Sequence, residues 1–239
     1  MSEVVSPQSK RLIVALDVPS FSEMNAIVEA LGSRVNHYKI GHQLFTAEGP
    51  RTIARLKELG KQVFLDLKLH EIPNSVSSAV ISAGRHGVDM LTLHASGGSD
   101  MMTAAVEASS RFAGMKIIAL TVVTGLSDAD LATIGVSDGC EAQVARLGKL
   151  AQSCGCHGLV SSPREVTMLR KLLGSSILLV TPGVRPSGAE HNDQARVDTP
   201  SGALRAGASY IVVGRPVVAA EQPEQAVDEI VAEMEASVA

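Results

Sequence analysis

The sequence predicts a single (β/α)₈ barrel of the TIM type, and three observations carry that prediction. Eight short runs rich in Val, Ile and Leu recur along the 239 residues, and each is followed by a segment of helical apolar spacing. The runs are apolar nearly throughout rather than alternating, as expected of parallel strands covered on both faces. Eight β-α pairs follow one another with no linker or shift in composition, which fits a closed ring better than a six-stranded doubly wound sheet. The length is ordinary for one such barrel. With 45% hydrophobic and 19% charged residues, the chain lies far from the disordered class.

Taken in order, residues 1–10 are polar and read as a flexible N-terminal segment, leaving 11–239 as one barrel domain. The first strand is expected over Leu12–Asp17 and the first helix over Glu23–Leu31, with Ser22 in position to cap it. The second strand, His37–Gly41, leads to a helix over Thr52–Leu59 that Gly60 would end. The third, Val63–Lys68, precedes a helix over Val76–His86 closed by Gly87. Met90–Ala95 is followed by Asp100–Phe112 beside Ser99, and Lys116–Val123 by Glu141–Ser153. Gly158–Ser162 precedes Arg164–Leu173; Ile177–Gly183 precedes Pro200–Ala206, with Thr199 as its cap; Tyr210–Gly214 precedes Pro223–Ala236. The stretch from Val184 to Thr199 is polar, rich in Gly, Asn and Asp, and longer than ordinary connections, so it is either a lid or a disordered insert, and beside a phosphate site a lid is the better reading.

Composition narrows the function classes. A formal net charge of −4 and the lack of long runs of one sign speak against nucleic-acid and membrane-surface partners. No apolar stretch approaches the roughly 18 residues of a membrane span, and the N-terminus lacks the apolar core of a signal peptide. Cys140, Cys154 and Cys156 are an odd set, poorly placed for a disulfide framework, which points to the cytoplasm. His157 follows Cys156, but nothing nearby completes a four-ligand metal site, and no metal is expected.

In such a barrel the site lies at the C-terminal ends of the strands, so polar residues closing apolar strands are the ones to interrogate. Asp17 closes the first strand, Lys39 lies in the second, Asp66 and Lys68 close the third, His94 the fourth, and Thr121 with Thr124 the fifth. Asp66 and Lys68 stand two apart, so alternation puts their side chains on one face. An alternating chain of Lys39, Asp66, Lys68 and Asp17 would hold each charge by its neighbours and orient an ammonium to deliver a proton. The loops after strands seven and eight, where many such barrels bind phosphate, contain Gly183 with Arg185 and Gly214 with Arg215. Glycine allows close backbone approach and arginine adds a bidentate clamp.

The run from Phe64 to Ser75 (FLDLKLHEIPNS), with Asp17, Lys39, His94-Ala-Ser-Gly-Gly98, Thr121 to Thr124, Pro182-Gly-Val-Arg185-Pro and Gly214-Arg215-Pro, closely resembles the orotidine 5'-phosphate decarboxylase family. The resemblance spans about Leu12 to Pro216 in the family's order. It implies cofactor-free conversion of orotidine 5'-phosphate to UMP and CO₂ in pyrimidine synthesis, by a homodimer whose active sites lie at the subunit interface. It further implies Lys68 as proton donor, Asp66 as the carboxylate beside the departing group, and Lys39 and Asp17 as ribose-side members of the charge chain. Glu71 would be the acid supplied from the neighbouring subunit, with Ile72 and Ser75 as substrate contacts beside it. Thr124 is implied to contact the pyrimidine, and Gln194, Arg185, Gly214 and Arg215 to form the lid and phosphate positions.

Two positions depart from the family pattern: Glu71 stands where aspartate is usual, and Ser75 where threonine is usual. Serine keeps the hydroxyl. The extra methylene of Glu71 moves a carboxylate in a site that needs exact placement, and retained activity is expected through a small change of loop backbone. Two rivals stand beside this reading. One is a Mg²⁺-dependent sugar-phosphate decarboxylase or aldolase of the same superfamily, which lacks the Ile72-Pro73-Asn74 run. The other is a non-catalytic nucleotide-phosphate-binding barrel, which should have lost charges that this chain keeps.

Overall fold

The computed structural model describes residues 8–185 and 198–236. Eight parallel strands close on themselves in sequence order: β1 (Leu12–Ala15), β2 (His37–Ile40), β3 (Gln62–Leu69), β4 (Met90–His94), β5 (Lys116–Leu120), β6 (Gly158–Val160), β7 (Leu178–Thr181) and β8 (Tyr210–Val213). Closure is made by β8 against β1, with Leu12 opposite Ile211 and Val14 opposite Val213. All eight predicted strands are present. Most end one to three residues earlier than the apolar runs suggest; Asp17, Pro182 and Gly214 lie past a strand end, where they leave the ladder and line the barrel mouth.

The helices are α1 (Phe21–Leu31), α2 (His42–Glu48), α3 (Arg51–Glu58), α4 (Pro73–Arg85), α5 (Ser99–Ser109), α6 (Asp128–Thr133), α7 (Gly139–Ser153), α8 (Pro163–Leu173), α9 (Pro200–Ala206), α10 (Arg215–Val218) and α11 (Pro223–Glu235). The eight predicted helices correspond to α1, α3, α4, α5, α7, α8, α9 and α11. Three short ones, α2, α6 and α10, were not expected. Ser20, not Ser22, caps α1 by accepting from the Glu23 N–H, and Gly98, not Ser99, is the N-cap of α5. Thr199 caps α9 as expected, accepting from the Gly202 N–H at 3.0 Å.

Two apolar bodies follow from the strand alternation. Ile13, Ala15, Phe64, Met90, Ile118, Leu120, Val160, Val180 and Val212 fill the barrel interior, with Leu178 and Tyr210 packed against them. The other faces of the same strands, among them Leu12, Val14, Leu65, Leu91, Leu159 and Ile211, join the inward faces of the helices in the larger core. Gly158 is small by necessity, since a Cβ there would lie 2.8 Å from the backbone oxygen of Leu178.

The predicted N-terminal segment is packed in its last residues. Ser9–Arg11 forms a 3₁₀ turn with Ser9 buried, and Arg11 donates to the carbonyl of Ser209 at 3.1 Å. Residues 8–11, at the end of that segment, are thus packed against the barrel just before β1. Residues 186–197, which include Gln194 and most of the predicted lid, lie outside the described residues. At the edges of that stretch, Val184 and Asp198 form a parallel bridge in which the Arg185 N–H donates to the Asp198 carbonyl at 2.9 Å. Among the described residues no helix is long and apolar enough to cross a membrane. The three cysteines are free, and burial pushes the Cys156 thiol up to about 12.

Candidate functional site

A cavity of about 480 Å³ opens at the C-terminal ends of the strands, within the roughly 300–1,000 Å³ of small-molecule sites. Asp17, Lys39, Asp66 and Lys68 line one side, Thr124 and Val123 another, and Gly183, Arg185, Gly214 and Arg215 a third. Nine residues singled out from the sequence, contributed by six different strand ends, therefore meet in one space.

The charged side is a continuous chain. Asp17 Oδ1 accepts from Lys39 Nζ at 2.9 Å; the same ammonium lies 3.6 Å from Asp66 Oδ2; Asp66 Oδ1 accepts from Lys68 Nζ at 2.9 Å. Asp66 is buried, and desolvation pushes its carboxyl up, but the ammoniums of Lys39 and Lys68, with hydrogen bonds from Lys68 and Thr92, outweigh burial and hold it below the usual carboxylate range. The charge that burial would penalise is kept by two cations arranged on either side of it. The geometry also explains Gly41, which follows β2 as the N-cap of α2: a Cβ there would lie 2.8 Å from Lys39 Nζ and 2.9 Å from Asp17 Oδ1, inside the ion pair.

Alternation alone does not bring Asp66 and Lys68 together. Leu65 is paired with Leu91 and Leu69 with Leu93, so three residues of β3 stand opposite the single Thr92 of β4 in a β-bulge. Within it Lys68 has φ +51°, and it is the only non-glycine with positive φ among the described residues. Such backbone is sparsely populated for a side-chain-bearing residue and persists where its surroundings over-determine it.

On the opposite wall, Arg185 is buried and Nη1 donates to the Val184 carbonyl at 3.1 Å, while Arg215 is exposed at the first turn of α10. Gly183 has φ +79°, a conformation that brings its backbone to the cavity at no side-chain cost. Thr121 is turned away from the mouth and donates to the Val160 carbonyl at 3.3 Å. His94 leaves the cavity lining and stacks on His70 with ring centroids 5.3 Å apart; burial, then His70 and Lys68, keep its pKa below the ordinary histidine value.

Glu71, Ile72 and Ser75 do not join the cavity. All three are exposed at the start of α4, and Glu71 Oε2 accepts from the Ile72 N–H at 2.6 Å. Gln43 lines the cavity and was missed by the sequence reading. It lies in the first turn of α2, the helix that was not expected, and its only sequence signal is a polar residue two places past the end of a strand. Among the described residues no group of three or more His, Cys, Asp or Glu could hold a metal ion.

Comparison with known proteins gives a consistent family. The orotidine 5'-phosphate decarboxylase / HUMPS family matches residues 10–230. The orotidine 5'-phosphate decarboxylase of Pelobacter propionicus is 44% identical over 228 residues, covering 94% of this chain and 95% of that protein. That of Anaeromyxobacter sp. (strain K) is 46% identical over 224 residues, with 94% and 98% covered. A crystal structure of orotidine 5'-phosphate decarboxylase from Lactobacillus acidophilus superposes with a TM-score of 0.84 at 35% identity, covering 94% of this chain and 99% of that one.

Proposed function

The chain belongs to the orotidine 5'-phosphate decarboxylase / HUMPS family, and on that premise we propose that it converts orotidine 5'-phosphate to UMP and CO₂ with Lys68 as the proton donor. The observation that carries the reading is the charge chain Asp17, Lys39, Asp66, Lys68 opening into the same cavity as the two glycine-arginine loops. A phosphate held by Arg185, Arg215 and the backbone at Gly183 and Gly214 would anchor the nucleotide at one end. The pyrimidine then lies toward Thr124 and the ribose toward Asp17 and Lys39.

In this placement Asp66 faces the substrate carboxylate. Their repulsion is relieved as the C–C bond breaks and CO₂ departs. The electron pair stays on the pyrimidine carbon, where the Lys68 ammonium stabilises it and then supplies the proton. The neutral amine left on Lys68 recovers its proton from solvent. Remote binding at the phosphate supplies part of the energy that holds the reacting groups in register.

We place Glu71, Ile72 and Ser75 in the site of a second subunit in a homodimer, with Gln194 as part of the loop that covers the nucleotide. Support for the shared site comes from the exposure of all three residues beside the mouth, where Ile72 is 64% exposed and Val123, on the cavity wall, 41%. A cytoplasmic setting accords with three free cysteines. The test is to mix purified protein with orotidine 5'-phosphate and excess chelator and follow loss of substrate absorbance. Turnover is expected. Failure to turn over, or turnover abolished by chelator, would refute the reading.

A further inference from the structure

We infer that Thr92 is a positioning residue for the proton transfer, a single hydroxyl that fixes the Asp66 carboxylate and the Lys68 backbone against each other. The inference rests on the reading of Lys68 as proton donor.

Thr92 lies in the middle of β4 and is fully buried. In a barrel strand such a residue ordinarily serves packing, and valine would fill the same space. Here the hydroxyl is used twice. Oγ1 donates to Asp66 Oδ1 at 3.0 Å and accepts from the Lys68 N–H at 2.8 Å. The donor direction is forced, since the ionised carboxylate and the backbone N–H leave it no other assignment. Asp66 Oδ1 also accepts from Lys68 Nζ at 2.9 Å, so hydroxyl, carboxylate and lysine close a loop in which Lys68 is held at its backbone and at its ammonium.

That loop coincides with the backbone irregularity. The bulge takes the Lys68 N–H out of the sheet ladder, and the residue adopts φ +51° where the pairing with β4 slips. A buried N–H that leaves the ladder needs another acceptor, and Thr92 Oγ1 is that acceptor. The hydroxyl therefore supports the left-handed turn that aims Lys68 at the cavity, and it adds a neutral donor to a carboxylate otherwise held only by cations. Thr92 does not itself line the cavity, and its hydroxyl reaches the reaction through Asp66 and Lys68.

The test uses the full chain with Thr92→Val, which keeps shape and removes the hydroxyl, and Thr92→Ser, which restores it. Active sites are counted by UMP titration, so that kcat is expressed per binding-competent chain. Loss of a hydrogen bond to a charged group predicts that kcat falls about 10- to 100-fold in Thr92→Val. UMP affinity should stay within about threefold, and Thr92→Ser should recover to within about fivefold of the parent. Should the valine variant not fold, Thr92→Cys, whose thiol is a weak donor and acceptor of similar size, must show the same fall in kcat. A kcat per site within about threefold of the parent in Thr92→Val or Thr92→Cys would overturn the inference and leave Thr92 a packing residue. A parent enzyme that does not turn over orotidine 5'-phosphate would instead overturn the proposed function, and the two failures are distinguished in the same experiment.

Discussion

Replacing Gly41 by alanine separates the ion-pair chain from the fold. Gly41 has φ −100° and ψ −172°, extended backbone that alanine adopts without strain. Its new Cβ would stand 2.8 Å from Lys39 Nζ and 2.9 Å from Asp17 Oδ1. Non-bonded heavy atoms come to rest at about 3.5 Å, so the ammonium must retreat by roughly 0.7 Å. Both atoms are ends of long or exposed side chains, and the barrel gives way at little cost. The displaced ammonium is, however, the one that bridges Asp17 and Asp66. Misplacement near 1 Å in a site of this kind costs on the order of 100-fold, which sets the expectation for kcat/KM between about 10- and 100-fold down. The melting temperature should move by less than about 4 °C, the shift that about 1 kcal/mol produces in a chain of this size. Steady-state decarboxylation by absorbance and thermal unfolding by circular dichroism measure the two. Undiminished kcat/KM would show that the Asp17–Lys39 contact is not needed; a large fall in melting temperature would show that Gly41 serves the fold.

Two further outcomes follow from particular residues. Glu71→Asp should leave kcat within about threefold of the parent, because the exposed loop that carries residue 71 can absorb one methylene; a tenfold rise would show that the natural glutamate impairs the site. Burial holds His37, His94 and His157 below the ordinary histidine pKa, with nearby cations acting in the same direction on all three and His70 on His94, so the folded state takes up their protons at lower pH than the unfolded state. Their contribution to stability is complete above the unfolded value of about 6.5 and is lost as pH falls below it. The urea midpoint should accordingly be lower at pH 5.5 than at 7.5, with a shallower difference in His37→Asn; equal midpoints at the two pH values would contradict the assignment.

The barrel was legible because its strands are buried on both faces, which leaves an uninterrupted apolar run at each of the eight positions. The short helices were not. Each of α2, α6 and α10 buries a single residue, Leu44, Leu131 and Val217 respectively, and one buried residue makes no period. Gln43 was lost with α2. The charged residues of the site were legible as interruptions at the ends of apolar runs, and Asp17, Lys39, Asp66 and Lys68 do meet. The manner of their meeting was hidden. Nothing in the run from Gln62 to Leu69 marks a bulge, since Asp66 and Lys68 stand two apart as they would on a regular strand, and Thr92 looks like any other barrel residue. Glu71, Ile72 and Ser75 follow the motif in sequence but turn outward at the N-terminus of α4, where Pro73 sets the helix start.

Lys68→Ala tests the central claim most directly. Alanine keeps a side-chain-bearing residue at φ +51°, so the backbone penalty is unchanged while the ammonium is removed. With protein and orotidine 5'-phosphate in single-turnover and steady-state assays, kcat should fall by about 10²- to 10⁴-fold, the range of a positioned proton donor, while UMP still binds within about tenfold of its parent affinity. A Lys68→Ala enzyme that binds UMP and decarboxylates at the parent rate would contradict the account.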